Sequence, residues 1–155
     1  IVSQVRQVLQ LLRDERRTWL TLVCLPEELP VKESQELIET ARSKLDIPVR
    51  CVFMNEVYPP LFNRTEARQI KTLIDQSAWN ENSKDNLELR TALIAARRQI
   101  LRRRMHQDYT QQLSKLNAGP VIEIPFYFTN AITLEEIRHM AASFLGGTKK
   151  GVSGG

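Results

Sequence analysis

At 155 residues, with 42% hydrophobic and 26% charged content, the chain has the length of about one domain and the composition of a folded core rather than a disordered segment. Its net charge of +4 permits an acidic partner without demanding one. No apolar run approaches the ~18 residues of a membrane span, and the amino terminus has no basic-then-apolar leader pattern, so a cytoplasmic protein is expected.

In chain order, Val2, Val5, Val8, Leu9 and Leu12 fall on one helical face. The chain opens inside this helix and without Met, which predicts a piece of a longer protein. Asp14–Arg17 is a polar turn. Thr18–Leu25 is an almost unbroken β-branched and apolar run, the pattern of a strand covered on both faces. Pro26 stops it, having no N–H to donate. Glu27 and Glu28 follow at the strand's carboxyl end, and Val31–Leu45 has helical spacing, with Leu37, Ile38, Ala41 and Leu45 as its apolar side. Asp46-Ile47-Pro48 breaks that helix, because a residue before proline avoids the helical region. A second strand is predicted at Val49–Val57. Strand, helix, strand with short turns is a βαβ unit, parallel and right-handed.

Tyr58-Pro59-Pro60 ends the second strand. The long excursion after it predicts a helix over Asn63–Asp75, a polar loop at Trp79–Asp85 and one long helix over Leu87–Leu116. Thirty helical residues span ~45 Å, so this helix either overhangs the sheet or breaks near Met105–Asp108. Leu93, Ile94, Ile100, Leu101, Tyr109, Leu113 and Leu116 are expected near one stripe. Asn117-Ala118-Gly119-Pro120 is the stop signal. A third strand is predicted at Val121–Phe126. Thr133 with Glu136 forms a capping box for a last helix, Leu134–Leu145. The tail, residues 148–155, is Gly-rich and is expected to be flexible.

The two cysteines, Cys24 and Cys51, read as reduced core thiols. His106 and His139 have no ligand-spaced companions, so neither zinc nor another metal is expected. Six arginines lie between Arg90 and Arg104, with no acid between Glu88 and Asp108. They read as a solvated helix face, as a nucleic-acid surface, or as a surface for an acidic protein or a dimer partner. The lack of interleaved aromatic residues before Tyr109 disfavours nucleic acid. Asn55 ends the second strand. It reads either as a turn-forming residue before Tyr-Pro-Pro or as a side chain able to pair with the N6/N7 edge of adenine.

The stretch Thr18–Ile38 resembles the ArsA-type anion-transporting ATPases and their relatives that deliver tail-anchored membrane proteins. In that family a strand ends in a short acidic turn, and the next helix carries a Glu, a Ser or Thr, and an Ile or Leu at the spacing of Glu33, Ser34 and Ile38. Further along, Phe53-Met54-Asn55 matches the triplet whose Asn contacts adenine. Pro125-Phe126 matches the end of the last strand and its adenine loop, and Glu135-Glu136-Ile137-Arg138 matches the helix after it. His139 stands where the family usually has glycine. Arg103, Gln107 and Tyr109 approximate a helix ahead of the last strand. Glu27 matches an acidic turn residue that approaches nucleotide across the dimer in the targeting relatives.

The resemblance implies a three-layer α/β fold with a mostly parallel sheet, residues 1–147 forming the carboxyl-terminal half of a P-loop ATPase domain. It implies ATP with Mg²⁺ in the complete parent, coupled to anion export or membrane-protein targeting, and none bound by this chain alone. The family's phosphate loop has no counterpart: Lys149–Gly155 only echoes it, with Gly where the phosphate-binding Lys belongs. The chain alone is therefore expected to hydrolyse no ATP. Implied partners are the missing amino-terminal half, a second copy or pseudo-repeat, and a membrane partner of the parent; no nucleic acid is implied. No cysteine lies between Tyr58 and Gly119, where the targeting relatives carry a zinc clasp. An interaction module using its Arg-rich helix on an acidic protein is the alternative reading.

Overall fold

A computed structural model describes residues 2–76, 84–129 and 131–147. Most of the predicted polar loop at Trp79–Asp85 and all of the predicted flexible tail lie outside the described residues. The elements in order are α1 (Val2–Arg13), β1 (Leu20–Cys24), α2 (Glu28–Thr40), β2 (Val49–Val57), α3 (Arg64–Gln76), α4 (Lys84–Ser114), β3 (Val121–Pro125) and α5 (Leu134–Gly147). The chain divides into two compact units, one of Ile1–Val57 with Asp108–Gly155 and the other of Tyr58–Gln107.

The first unit is built on a three-stranded sheet in the order β1-β2-β3, parallel throughout, with flanking helices. Leu22, Val52 and Val121 sit side by side across it, as do Cys24, Met54 and Glu123. In parallel strands such neighbours point to the same face. That face holds the core: Leu22, Cys24, Val52, Met54 and Val57 from the sheet meet Val31 and Ile38 of α2, Leu113 of α4, and Ala118. The opposite face is different. Thr21 is exposed there and Val23 is 68% exposed. Expected cover on both sides of the first strand is thus found on one side only among the described residues. Its apolar run reflects β-propensity on the open side as well as burial on the other. The apolar face of α1 is likewise open, with Val5, Val8 and Leu9 exposed.

Helix α2 ends before the predicted Leu45. Residues Ala41–Leu45 form a single π turn, closed by the Asp46 N–H donating to the Ala41 carbonyl, to which the Ile47 N–H also donates at 2.8 Å. Pro48 forbids a helical Ile47, and Asp46 takes the left-handed conformation (φ 56°) to leave the helix. The orphan carbonyls at helix ends find arginines: Arg13 Nε donates to Leu45 O and the Arg42 guanidinium to Leu116 O, both at 2.8 Å. The predicted stop at Asn117–Pro120 is a tight turn with Asn117 at φ 51° and Gly119 at φ 94°. A Cβ at Gly119 would lie 2.0 Å from the backbone oxygen of Arg50, so only glycine fits. Next to it, Val52 N–H donates to Pro120 O at 3.0 Å, starting the β2–β3 ladder.

Helix α4 runs unbroken for 31 residues, with no interruption near Met105–Asp108. The single apolar stripe expected of it is not found: Leu93 and Leu113 are buried, whereas Ile94 and Leu101 are exposed. At about 100° per residue, Leu93 and Leu113 fall on nearly opposite sides of the helix. The division between the two units falls within this helix.

In the second unit, Asn63 caps α3. Its Oδ1 accepts from the N–H of Thr65 (2.9 Å) and of Glu66 (3.0 Å), and Glu66 Oε2 accepts from Asn63 N–H at 2.7 Å. This reciprocal box satisfies orphan donors of the first turn. Buried His106 accepts the Tyr58 N–H on Nδ1 at 3.1 Å, and the Arg102 guanidinium donates to the Tyr58 hydroxyl at 2.8 Å.

Candidate functional site

The carboxyl ends of parallel strands form the edge at which open α/β sheets bind ligands. In the row Cys24–Met54–Glu123 the three strands are in register. Asn55 lies one residue beyond this row, Pro125 two and Glu27 three. The expectation that these residues gather at one sheet edge of parallel strands is therefore met in the backbone.

The edge is shaped by a bulge. Met54 pairs with Glu123 and Val57 with Pro125, so Asn55 and Glu56 together oppose Ile124. Glu56 takes φ 59°, a left-handed conformation rare in a strand. Simple alternation after Val52 and Met54 would bury Glu56. The extra residue instead leaves Glu56 exposed and returns Val57 to the core. Asn55 stands on the face opposite Met54, half-buried, and its carboxamide has no hydrogen-bond partner among the described residues.

From β3, Phe126 N–H donates to Val57 O at 2.9 Å, which extends the pairing past Pro125 and fixes the following loop against the end of β2. The rings of Phe126 and Phe128 pack edge to face, centroids 4.9 Å apart, with Phe128 60% exposed. The loop is tied to α5 by the Tyr127 hydroxyl, 3.0 Å from Nδ1 of His139. His139 thus packs against this loop. The predicted capping box holds: Glu136 Oε2 accepts the Thr133 N–H at 2.8 Å and the Thr133 hydroxyl proton, while Thr133 Oγ1 accepts from Glu135 N–H at 3.2 Å. The Thr133 donors hold the Glu136 carboxyl below the usual carboxylate range.

Glu27 is exposed and caps α2 in an extended conformation without a side-chain hydrogen bond to the helix. Its neighbour Glu28 is held below the usual carboxylate range by Lys32, 2.7 Å away. Cys24 and Cys51 are both free and lie on opposite faces of the sheet; Cys24 is buried, and burial pushes its thiol pKa up. Cys51 is only half-buried, with Sγ 3.7 Å from the Thr21 hydroxyl. Among the described residues no group of three or more His, Cys, Asp and Glu side chains is placed to hold a metal ion, and no helix is long and apolar enough to cross a membrane.

The family model for the anion-transporting ATPases matches residues 1–88. That is more than half of the chain, and the chain belongs to this family. No curated protein matches it. Membership brings an ATPase-type function in general, and in such ATPases a nucleotide with Mg²⁺. The match includes β1, α2 and β2, with Glu27 and Asn55, and stops short of Pro125 and Phe126. The groups at the edge have the chemistry to meet one part of such a ligand. A carboxamide and aromatic rings at one sheet edge are the kinds of group that meet a purine base. The sequence holds no Gly-rich phosphate loop, so the phosphates have no cradle of that kind here.

Proposed function

We propose that residues 1–147 are the adenine-side, carboxyl-terminal part of an ArsA-type ATPase domain, and that the complete parent couples ATP hydrolysis to anion export or membrane-protein targeting in the cytoplasm. The observation that carries the reading is the half-buried Asn55 carboxamide, without a hydrogen-bond partner, at the bulge on the sheet's carboxyl edge. A carboxamide offers an acceptor and two donors, so Asn55 accepts from the adenine N6 amine and donates to N7. Pro125 and Phe126 form the wall for the base. Glu27 approaches the nucleotide of a second copy or pseudo-repeat. Phosphate and Mg²⁺ binding belong to the amino-terminal half, which would also cover the open sheet face around Val23. The chain alone binds no nucleotide productively and hydrolyses none, because phosphoryl transfer is chiefly positioning and charge stabilisation of phosphates.

Guanine carries a carbonyl where adenine has its amine. Asn55 would then face it with one group unpaired, a cost of ~1–3 kcal/mol. In the complete ATPase, Asn55→Ala should weaken adenine-nucleotide binding about tenfold or more and erase the preference over guanine, with little change in fold stability. Calorimetric titration with ATP and GTP measures both. Unchanged ATP affinity in the variant would refute the pocket, and steady ATP turnover by the purified chain alone would refute the division of labour.

A further inference from the structure

The second unit contains a groove that the nucleotide reading does not use. It has a volume of about 980 Å³ and runs between the start of α3, the segment Pro60–Asn63 before it, and one flank of α4. Arg64 and Arg68 reach it from α3, and Arg103 and Arg104 from α4. No acidic residue lines it. Between the arginines the wall is apolar, supplied by Leu61, Phe62, Ala67 and Ile100. The spacing explains the convergence: Arg64 and Arg68 are four residues apart on one helix face, as are Gln99 and Arg103 on another. Of the readings open to the Arg-rich segment, a purely solvated face therefore does not describe all of it. Arg103 and Arg104 share a groove with two arginines from outside that segment.

Gln99 supplies an independent observation. It lines the groove, and its Oε1 is buried with no hydrogen-bond partner among the described residues. A buried acceptor left unmade costs about 1–3 kcal/mol, a cost relieved where the Gln99 amide turns into the groove toward a donor. Arginines hold carboxylates or phosphates bidentately and donate only. An occupant that brings anionic groups and apolar surface together, with an N–H donor beside them, complements this lining.

We propose that this groove docks an acidic peptide segment of a partner protein. Its carboxylates pair with Arg64, Arg68 and Arg104, a backbone N–H donates to Gln99 Oε1, and an apolar side chain lies against Phe62 and Ile100. A peptide offers all three features along one extended chain. A free phosphate lacks the N–H and fills little of a cavity at the upper end of ligand-pocket sizes. Single-stranded nucleic acid wants several stacking rings along a basic track, and this groove has one aromatic side chain, Phe62.

The probe is a fluorescein-labelled octapeptide of alternating Glu and Leu, titrated with the full chain and followed by fluorescence anisotropy. Saturable binding that weakens as salt rises is expected. Arg68→Glu with Arg104→Glu should weaken it tenfold or more, and Gln99→Leu at least threefold. Arg68 and Arg104 are exposed, so the fold should survive, which circular dichroism checks. If the double variant does not fold, Arg64→Glu decides. It places an acid in the first turn of α3, where the helix dipole favours it, and should still weaken binding severalfold. Absence of saturable binding overturns the proposal, as does a probe affinity indifferent to the charge reversals. Displacement by a 12-residue oligothymidine that binds more tightly assigns the groove to nucleic acid and overturns it. So does displacement by millimolar inorganic phosphate, which would mark a simple anion site.

Discussion

The two compact units are held together in different ways. The sheet unit is fixed by backbone: a continuous register across three strands, a turn where only glycine fits, and a core of fully buried aliphatic side chains. The unit Tyr58–Gln107 relies on side chains at its ends, His106 and Arg102 on Tyr58 and the Asn63–Glu66 box. Backbone pairing leaves little freedom in where a residue stands. A unit of two helices held by side chains leaves much of its outer surface to other uses. The candidate base site accordingly sits on the first, and the arginine groove on the second.

The largest effect expected is on the sheet unit. Gly119→Ala forces a Cβ into the Arg50 carbonyl at φ 94°. Strain at such a position alone costs about 1–3 kcal/mol, and moving β2 adds to it. The urea midpoint should fall well below that of the wild type, and an unchanged midpoint would show the sheet to be looser than described. Next comes the second unit. His106→Leu removes the acceptor of the Tyr58 N–H, a loss of about 1–3 kcal/mol. Amide exchange should speed up at Tyr58 and along α4 up to Gln107 while the β2 amides at Val52 and Met54 stay protected. Equal acceleration in both would deny the two units any separate stability.

A smaller effect involves pH. The folded-state pKa of Glu136 is lowered by its bonds with Thr133, so the carboxylate contributes stability above the unfolded carboxylate pKa. That contribution is lost as pH falls through the lower, folded-state pKa. An NMR titration should place Glu136 below a free glutamate, and Thr133→Ala should return it toward that value. Fraying of the first turn of α5 should follow the same titration. The smallest effect is on the open face. Val23→Lys should change the stability of this chain by no more than about 0.5 kcal/mol, because the side chain is already exposed. In the complete ATPase the same substitution should be plainly destabilising if the amino-terminal half covers that face. Equal tolerance in both contexts would count against that cover.

Strands, turns and caps were readable because each is announced locally. Val49–Val57 is marked by Pro48 before it and Tyr-Pro-Pro after it. Asn117–Pro120 carries its own stop chemistry, and Thr133–Glu136 its own box. The bulge was not foreseen, although Val-Phe-Met-Asn-Glu-Val contains its trace. The apolar alternation skips a beat at Asn55-Glu56, which only an extra unpaired residue can reconcile with a buried Val57. The α4 stripe was misread because helical periodicity was summed over a helix that buries different sides at different heights. The arginine groove was invisible for another reason. Half of its charge comes from Arg64 and Arg68, about 35 residues before Arg103, and only tertiary structure joins them. Asn55, by contrast, was reached through a family motif, and the bulge gives it a physical setting that spacing could not.

Tyr58 and His106 touch although 48 residues separate them. The segment between them therefore enters and leaves through one doorway. A closed excursion of this kind costs the chain an entropy that grows only with the logarithm of its length, each doubling adding about 0.6 kcal/mol. Changes between Pro60 and Leu101 that keep Arg102 and His106 in place need not disturb the doorway. In this chain the architecture makes the excursion a cassette, one in which a new binding surface can be tried while the doorway residues stay the same.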